Sequence, residues 1–213
     1  MKKIALWIAR IYAYLPRFSG SSHGYHEDAS FSTQSADDLY AAGQAAFARK
    51  DYSRAQHCFS RCIVLSPKTT HYYTCRAHAR QRQGDSLGAA DDYAIAIQLN
   101  PENSTFFSDR GNIWARSGDY QKALADYAQA IDLDSRNAAS YHGRASVHRR
   151  MGNHVNAIRD YKVAVRIQPD LAEGYYWRAQ SYRALGQEAK AVRDERIIRH
   201  LKKNRSDAKA NGA

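Results

Sequence analysis

The chain has three cysteines, four prolines and no apolar run long enough to span a membrane as a helix. Cys58, Cys62 and Cys75 are too few and too local for a disulfide framework, and no paired-cysteine zinc spacing occurs. A phosphate-cradling Gly-rich loop, a Gly-x-Ser-x-Gly elbow and a His-Glu-x-x-His pair are all missing. Nothing in the sequence supplies an activated nucleophile, so no catalytic, metal or cofactor residue is assigned and the chain is expected not to be an enzyme. His23 and His26 stand beside Glu27 and Asp28, but in a polar stretch where the grouping reads as incidental. Acidic residues are also scarce: 21 against 32 Lys and Arg, for a net charge of +11. A basic surface favours anionic partners, whether acidic peptides, anionic lipid or nucleic acid.

Residues 1–17 form a basic and apolar N-terminal segment. On a helix, Ile4, Trp7, Ile8, Ile11 and Leu15 share one face, and Lys3, Arg10 and Arg17 the other. Such a segment reads as an interfacial anchor, an atypical export or transit signal, a helix that docks on the start of the array, or a mis-called start or unstructured leader. Localisation is therefore cytoplasmic, or membrane-associated or exported if the segment acts as anchor or signal. Residues 18–35, rich in Ser and Gly, read as a linker.

What fills the rest of the chain is a 34-residue period without insertion or gap. Five segments align: 36–69, 70–103, 104–137, 138–171 and 172–203. Position 8 is Gly43, Ala77, Gly111, Ala145 and Ala179; position 20 is Ala55, Ala89, Ala123, Ala157 and Ala191. Position 24 is Phe59, Tyr93, Tyr127 and Tyr161, then Glu195. Position 27 is Cys62, Ala96, Ala130, Ala164 and Ile198; position 32 is Pro67, Pro101, Ser135, Pro169 and Lys203. Each segment carries two apolar stripes at helical spacing, split by a turn signal such as Gly118-Asp119, where Gly ends one helix and Asp caps the next. Pro at position 32 stops the second helix.

A second pattern runs in the same register. Position 7 is Arg76, Arg110, Arg144 and Arg178, and position 23 is Asp92, Asp126, Asp160 and Asp194; the first segment has Ala42 and Cys58 instead. Joint presence and joint absence predict an ion pair between the two helices, with ligand binding by these arginines as the alternative. Position 28 is Ile63, Ile97, Ile131 and Val165 but Arg199 in the last segment, which makes that segment a polar cap. A helix from about Glu188 to Lys202 should close the stack, and residues 204–213 read as a disordered basic tail.

This pattern resembles the tetratricopeptide repeat (TPR), whose signature places small residues at 8, 20 and 27, an aromatic at 24 and Pro at 32. The resemblance implies an all-α fold, a right-handed α-solenoid of five helix-turn-helix repeats. It also implies a concave groove lined by the first helices, with positions 2, 5, 9, 12 and 13 facing a bound segment. The candidate groove residues are Tyr40 and Gln44, then His71, His78 and Arg82, then Asn112 and Arg116. They continue with His142, Arg149 and Arg150, then Tyr176, Gln180 and Arg183. Amide side chains suit peptide-backbone recognition. The arginines suit an acidic ligand, or simply complement the C-terminal ends of their helices. The dicarboxylate clamp of chaperone-binding TPRs does not match, since repeats 1–3 offer Tyr40, Gln44, Cys75, Thr105 and Asp109 at its positions.

The resulting expectation is a protein–protein interaction module that binds an acidic or amphipathic segment in its groove. An accessory factor of a secretion or enzyme complex is the alternative. RNA binding is a lesser one, because the groove aromatics do not interleave with its basic residues.

Overall fold

A computed structural model describes residues 34–210. The segment 1–17 and all but the end of the linker lie outside the described residues, as do His23 and His26. Among the described residues there are ten helices and no strand. They are α1 (Ala36–Ala48), α2 (Tyr52–Leu65), α3 (Thr70–Gln83), α4 (Ser86–Leu99) and α5 (Ser104–Ser117). There follow α6 (Tyr120–Leu133), α7 (Ala138–Arg150), α8 (His154–Ile167), α9 (Ala172–Ala184) and α10 (Glu188–Ala210). Each 34-residue segment contributes one hairpin, and each helix packs on its neighbours in chain order. The first helices also touch one another, α5 on α7 and α7 on α9, and so share one face of the stack.

The turns follow from the residues in them. Gly84, Gly118, Gly152 and Gly186 adopt φ of 86°, 83°, 77° and 69°, the left-handed region that ends a helix cheaply only with glycine. In the first hairpin the same place is held by Lys50 at φ 64°. The residue after each turn starts the second helix. Asp51, Asp85 and Asp119 accept hydrogen bonds from the backbone N–H groups of Arg54, Gly88 and Lys122. Asn153 occupies the same cap position without a side-chain hydrogen bond. At the start of the array, Ser35 and Asp38 cap α1 reciprocally.

Packing between hairpins centres on position 24. Phe59, Tyr93, Tyr127 and Tyr161 are buried among the alanines of position 20 and the Cys62 or alanine of position 27, none of which has exposed surface. Phe59 sits where a larger neighbour would clash: a methyl added at Gly43 would come within 2.6 Å of its ring. The next repeat closes over three of the rings, with Ala79 on Phe59, Ile113 on Tyr93 and Val147 on Tyr127.

The expected ion pairs are present in all four repeats that carry them. Arg76–Asp92, Arg110–Asp126, Arg144–Asp160 and Arg178–Asp194 lie at 2.6, 2.7, 2.7 and 2.6 Å, and every aspartate is buried. Each arginine donates from Nε and a terminal nitrogen, or from Nε alone to one oxygen and Nη2 to the other, in a two-point contact. Each guanidinium also lies over the aromatic ring three residues earlier: Tyr73, Phe107, Tyr141 and Tyr175. Repeat 1 replaces the whole set with Leu39, Ala42 and Cys58. These arginines are thus committed within their own hairpins.

The last helix differs from expectation in length. α10 continues to Ala210, through most of the segment expected to be disordered. Position 32 is Lys203 here, and neither Pro nor Gly occurs again before Gly212, so nothing in the sequence ends the helix.

Two tests follow from these features. Lys50→Gly should raise stability by about 0.5–1 kcal/mol, and Gly118→Ala should lower it by about 1 kcal/mol, because a side chain in the left-handed region costs about 1–2 kcal/mol. Urea midpoints would show this, and a loss in Lys50→Gly would contradict it. Arg110→Ala should cost ~1–3 kcal/mol by stranding Asp126 in a buried site. The double change with Asp126→Ala should then cost less than the two single changes summed; strict additivity would show the pair to be uncoupled.

Candidate functional site

The groove side of the first helices divides into three stretches. At the N-terminal end the candidates touch one another. The Tyr40 hydroxyl is hydrogen-bonded to Nε2 of His71 and accepts from the Gln44 amide, both at 2.5 Å. The Tyr40 ring also lies 5.8 Å from that of Tyr72. Cys75 joins this group, its Sγ 3.6 Å from the same His71 nitrogen. All three thiols are free, and burial pushes that of Cys62 up to about 11.

The middle stretch is a concave cavity of about 420 Å³ between repeats 2, 3 and 4. Asn112, Arg116, His142 and Arg150 line it, together with Gln81, Asp109, Gly143 and Ser146. Arg116 and Arg150 are exposed and form no ion pair among the described residues; Arg150 only donates to the Ala115 carbonyl at 3.3 Å. Arg82 is likewise exposed and forms no ion pair among the described residues. Tyr127 forms part of the floor. Burial pushes its phenol pKa up, so it stays a donor, and its hydroxyl donates a hydrogen bond to Oδ1 of Asn112 at 2.7 Å. That leaves the Asn112 amide N–H groups for another acceptor. Gly143 makes room for this tyrosine, since a methyl there would fall 2.5 Å from the ring.

In the same way Tyr93 connects His78 and Asp109. Its hydroxyl lies 2.9 Å from Nε2 of His78 and donates to Asp109 at 3.2 Å. His142 is different: its Nε2 is buried and has no hydrogen-bond partner. Burial holds its imidazole below the ordinary histidine pKa, with Glu173 opposing that shift and Arg149 adding to it.

In the C-terminal stretch the cations are already engaged. Arg149 lies 4.0 Å over the Trp177 ring, and Tyr176 packs edge-on against the same tryptophan. Arg183 pairs with Glu195 at 2.6 Å and Glu188 at 3.3 Å. Glu195 is the residue that replaces the position-24 aromatic, so the capping repeat exchanges a ring for a salt bridge. Gln180 is half-buried beside them. The even run of groove arginines expected from the sequence therefore reduces to Arg82, Arg116 and Arg150.

Position 6 enters the sequence reading only as a mismatch to the dicarboxylate clamp, yet its residues Asp109 and Gly143 line the cavity. Position 6 is Ala41, Cys75, Asp109, Gly143 and Trp177, five different residues in five repeats. That variation, next to invariant structural positions, was the available signal. Among the described residues no group of three His, Cys, Asp or Glu side chains could hold a metal ion. No helix among them is long and apolar enough to cross a membrane.

Five stacked hairpins with a cationic concave face define an α-solenoid interaction scaffold. A family model described as tetratricopeptide repeat matches residues 76–138 and 115–172. Residues 76–172 thus carry tetratricopeptide repeats, and the ten helices pack in successive pairs as five tandem hairpins of an α-solenoid. No curated protein matches the chain. Among solved structures, it is similar to MamA protein, with a TM-score of 0.71 at 17% identity over 81% of this chain and 94% of that one. It is also similar to PilF of Pseudomonas aeruginosa, with a TM-score of 0.69 at 13% identity over 78% of this chain and 76% of that one. A third is YrrB, described as a TPR protein with an unusual peptide-binding site: TM-score 0.62, 14% identity, 78% of this chain and 86% of that one. At these identities the likeness is one of fold.

The state of His142 has a consequence for pH. Above about pH 6.5 the residue is neutral in both folded and unfolded chains. As pH falls through that value the unfolded chain takes up the proton first, so stability is lost towards the lowered folded pKa. The loss between pH 7 and pH 5 should therefore be larger for the wild type than for His142→Gln. Urea unfolding at the two pH values checks this, and an identical pH dependence would refute it.

Proposed function

We propose that this chain is a non-catalytic adaptor that holds an acidic or amphipathic segment of a partner protein in its concave groove. The observation that carries the reading is the pair Arg116 and Arg150. Both are exposed, both line one cavity, and neither has an internal counter-ion among the described residues, whereas the hairpin arginines all do. An unpaired guanidinium in a concave, partly desolvated site attracts a carboxylate over about a Debye length, ~8 Å at physiological salt. The amides of Gln81 and Asn112 add neutral groups that suit a peptide backbone. Tyr40, His71 and His78 would extend the contact surface towards repeat 1.

The test is affinity capture from native cells with the wild-type chain and with Arg116→Glu plus Arg150→Glu, followed by measured affinity for each captured partner. The groove variant should bind at least tenfold more weakly, ~1.4 kcal/mol, and wild-type binding should weaken as salt rises. A charge-matched control, Arg166→Glu plus Arg193→Glu on second helices, should bind as the wild type does. Unchanged affinity in the groove variant would move the site to another face of the solenoid.

A further inference from the structure

The four buried aspartates of the hairpins each face an arginine at 2.6–2.7 Å. Asp109 does not. It is half-buried on the floor of the cavity and forms no ion pair among the described residues. Its one hydrogen bond comes from the Tyr93 hydroxyl at 3.2 Å. An ionised carboxylate offers about four acceptor sites, so most of its capacity is unused. Burial pushes its pKa up, with His78 and Tyr93 only partly offsetting the effect.

Anchoring Tyr93 does not account for this carboxylate. Tyr127, the same residue one repeat later, is anchored by the neutral Asn112 at 2.7 Å and faces Gly143 at position 6. The tyrosine needs an acceptor, not a charge. Asp109 shares its cavity with Arg116 and Arg150, so a desolvated anion and two cations face one ligand space.

We infer that Asp109 receives a cationic side chain, Lys or Arg, of the bound segment, so that the groove selects a bipolar ligand with its acid at Arg116 and Arg150. This rests on the acid-binding reading above and narrows it. Asp109 and Arg116 lie seven residues apart on α5, two helical turns or about 10 Å. Roughly three residues of extended peptide span that distance. A uniform polyanion would set negative charge against Asp109, and that repulsion discriminates against it.

The experiment uses the full chain and fluorescein-labelled ten-residue peptides on a Gly/Ser background. One set carries two Glu and a Lys three residues from the nearer Glu, in either order. Matched sets replace Lys by Gln, or both Glu by Gln. By anisotropy, the better bipolar peptide should bind at least tenfold more tightly than the all-acid one. Asp109→Asn should remove that preference without weakening the all-acid peptide. Arg116→Glu with Arg150→Glu should abolish binding of both. Equal affinities in the wild type, or a preference that survives Asp109→Asn, would overturn the inference and leave the acid-binding reading standing. Binding of the all-base peptide that survives the arginine reversal would overturn the reading itself, and no binding by any peptide would overturn both. A ligand-free measurement separates binding from structure. Asp109→Asn should keep or raise the thermal midpoint while Asp126→Asn lowers it; an equal fall in both would make Asp109 a structural anchor and overturn the inference.

Discussion

The position-24 ring, held in a slot of very small residues, is the constraint on which the rest of the molecule depends. It sets the distance between the helices of a hairpin, because Ala at 20, Ala or Cys at 27 and Ala or Gly at 8 leave room for one aromatic and no more. It also sets the distance to the next hairpin, which lays Ala79, Ile113 or Val147 against it. The phenol oxygen then emerges at the groove, where it fixes the polar floor: His78 and Asp109 around Tyr93, Asn112 around Tyr127. Core packing and ligand surface are two ends of the same side chain. Phe59 lacks that oxygen, and around it the groove floor is made by Tyr40 and Cys75 instead.

The arginine–aspartate pairs tie the same helices on a different side. Breaking one member of such a pair is costly, while the intact pair contributes much less than its Coulomb energy suggests, because both ions are desolvated. Their effect on function is indirect. Four cations are neutralised inside the hairpins, so the charge that a partner meets comes from the remaining arginines and lysines. Each guanidinium also lies over an aromatic ring of its own helix, which adds to its commitment within the hairpin.

Much of this was legible because the chain states each structural rule several times. The period, the turn glycines, the aspartate caps and the ion pairs are intra-repeat features, and a residue type recurring at one spacing reveals them. The groove was less legible because its contacts cross between repeats. The sequence left Arg149 and Arg183 as groove cations that suit an acidic ligand or complement their helix ends; that Trp177 lies beneath the first and Glu195 pairs with the second depends on neighbours outside their own helices. Asp109 was named only as a mismatch to a clamp; that it lacks an arginine follows from three-dimensional neighbours, not from its column. The length of α10 was missed for a simpler reason: basic composition suggested disorder, while the absence of Pro and Gly before Gly212 permitted helix.

The engagement of the C-terminal arginines also fixes a length. On the first helices Arg82, Arg116 and Arg150, from repeat 2 to repeat 4, are exposed and form no ion pair among the described residues, and beyond them Arg183 is held in a salt bridge. Three adjacent first helices, with axes roughly 10 Å apart, span two steps or about 20 Å. An extended chain covers that in about six residues. On the adaptor reading proposed above, that charged footprint matches a short linear motif, one that a partner can carry in a tail or an exposed loop without unfolding anything else.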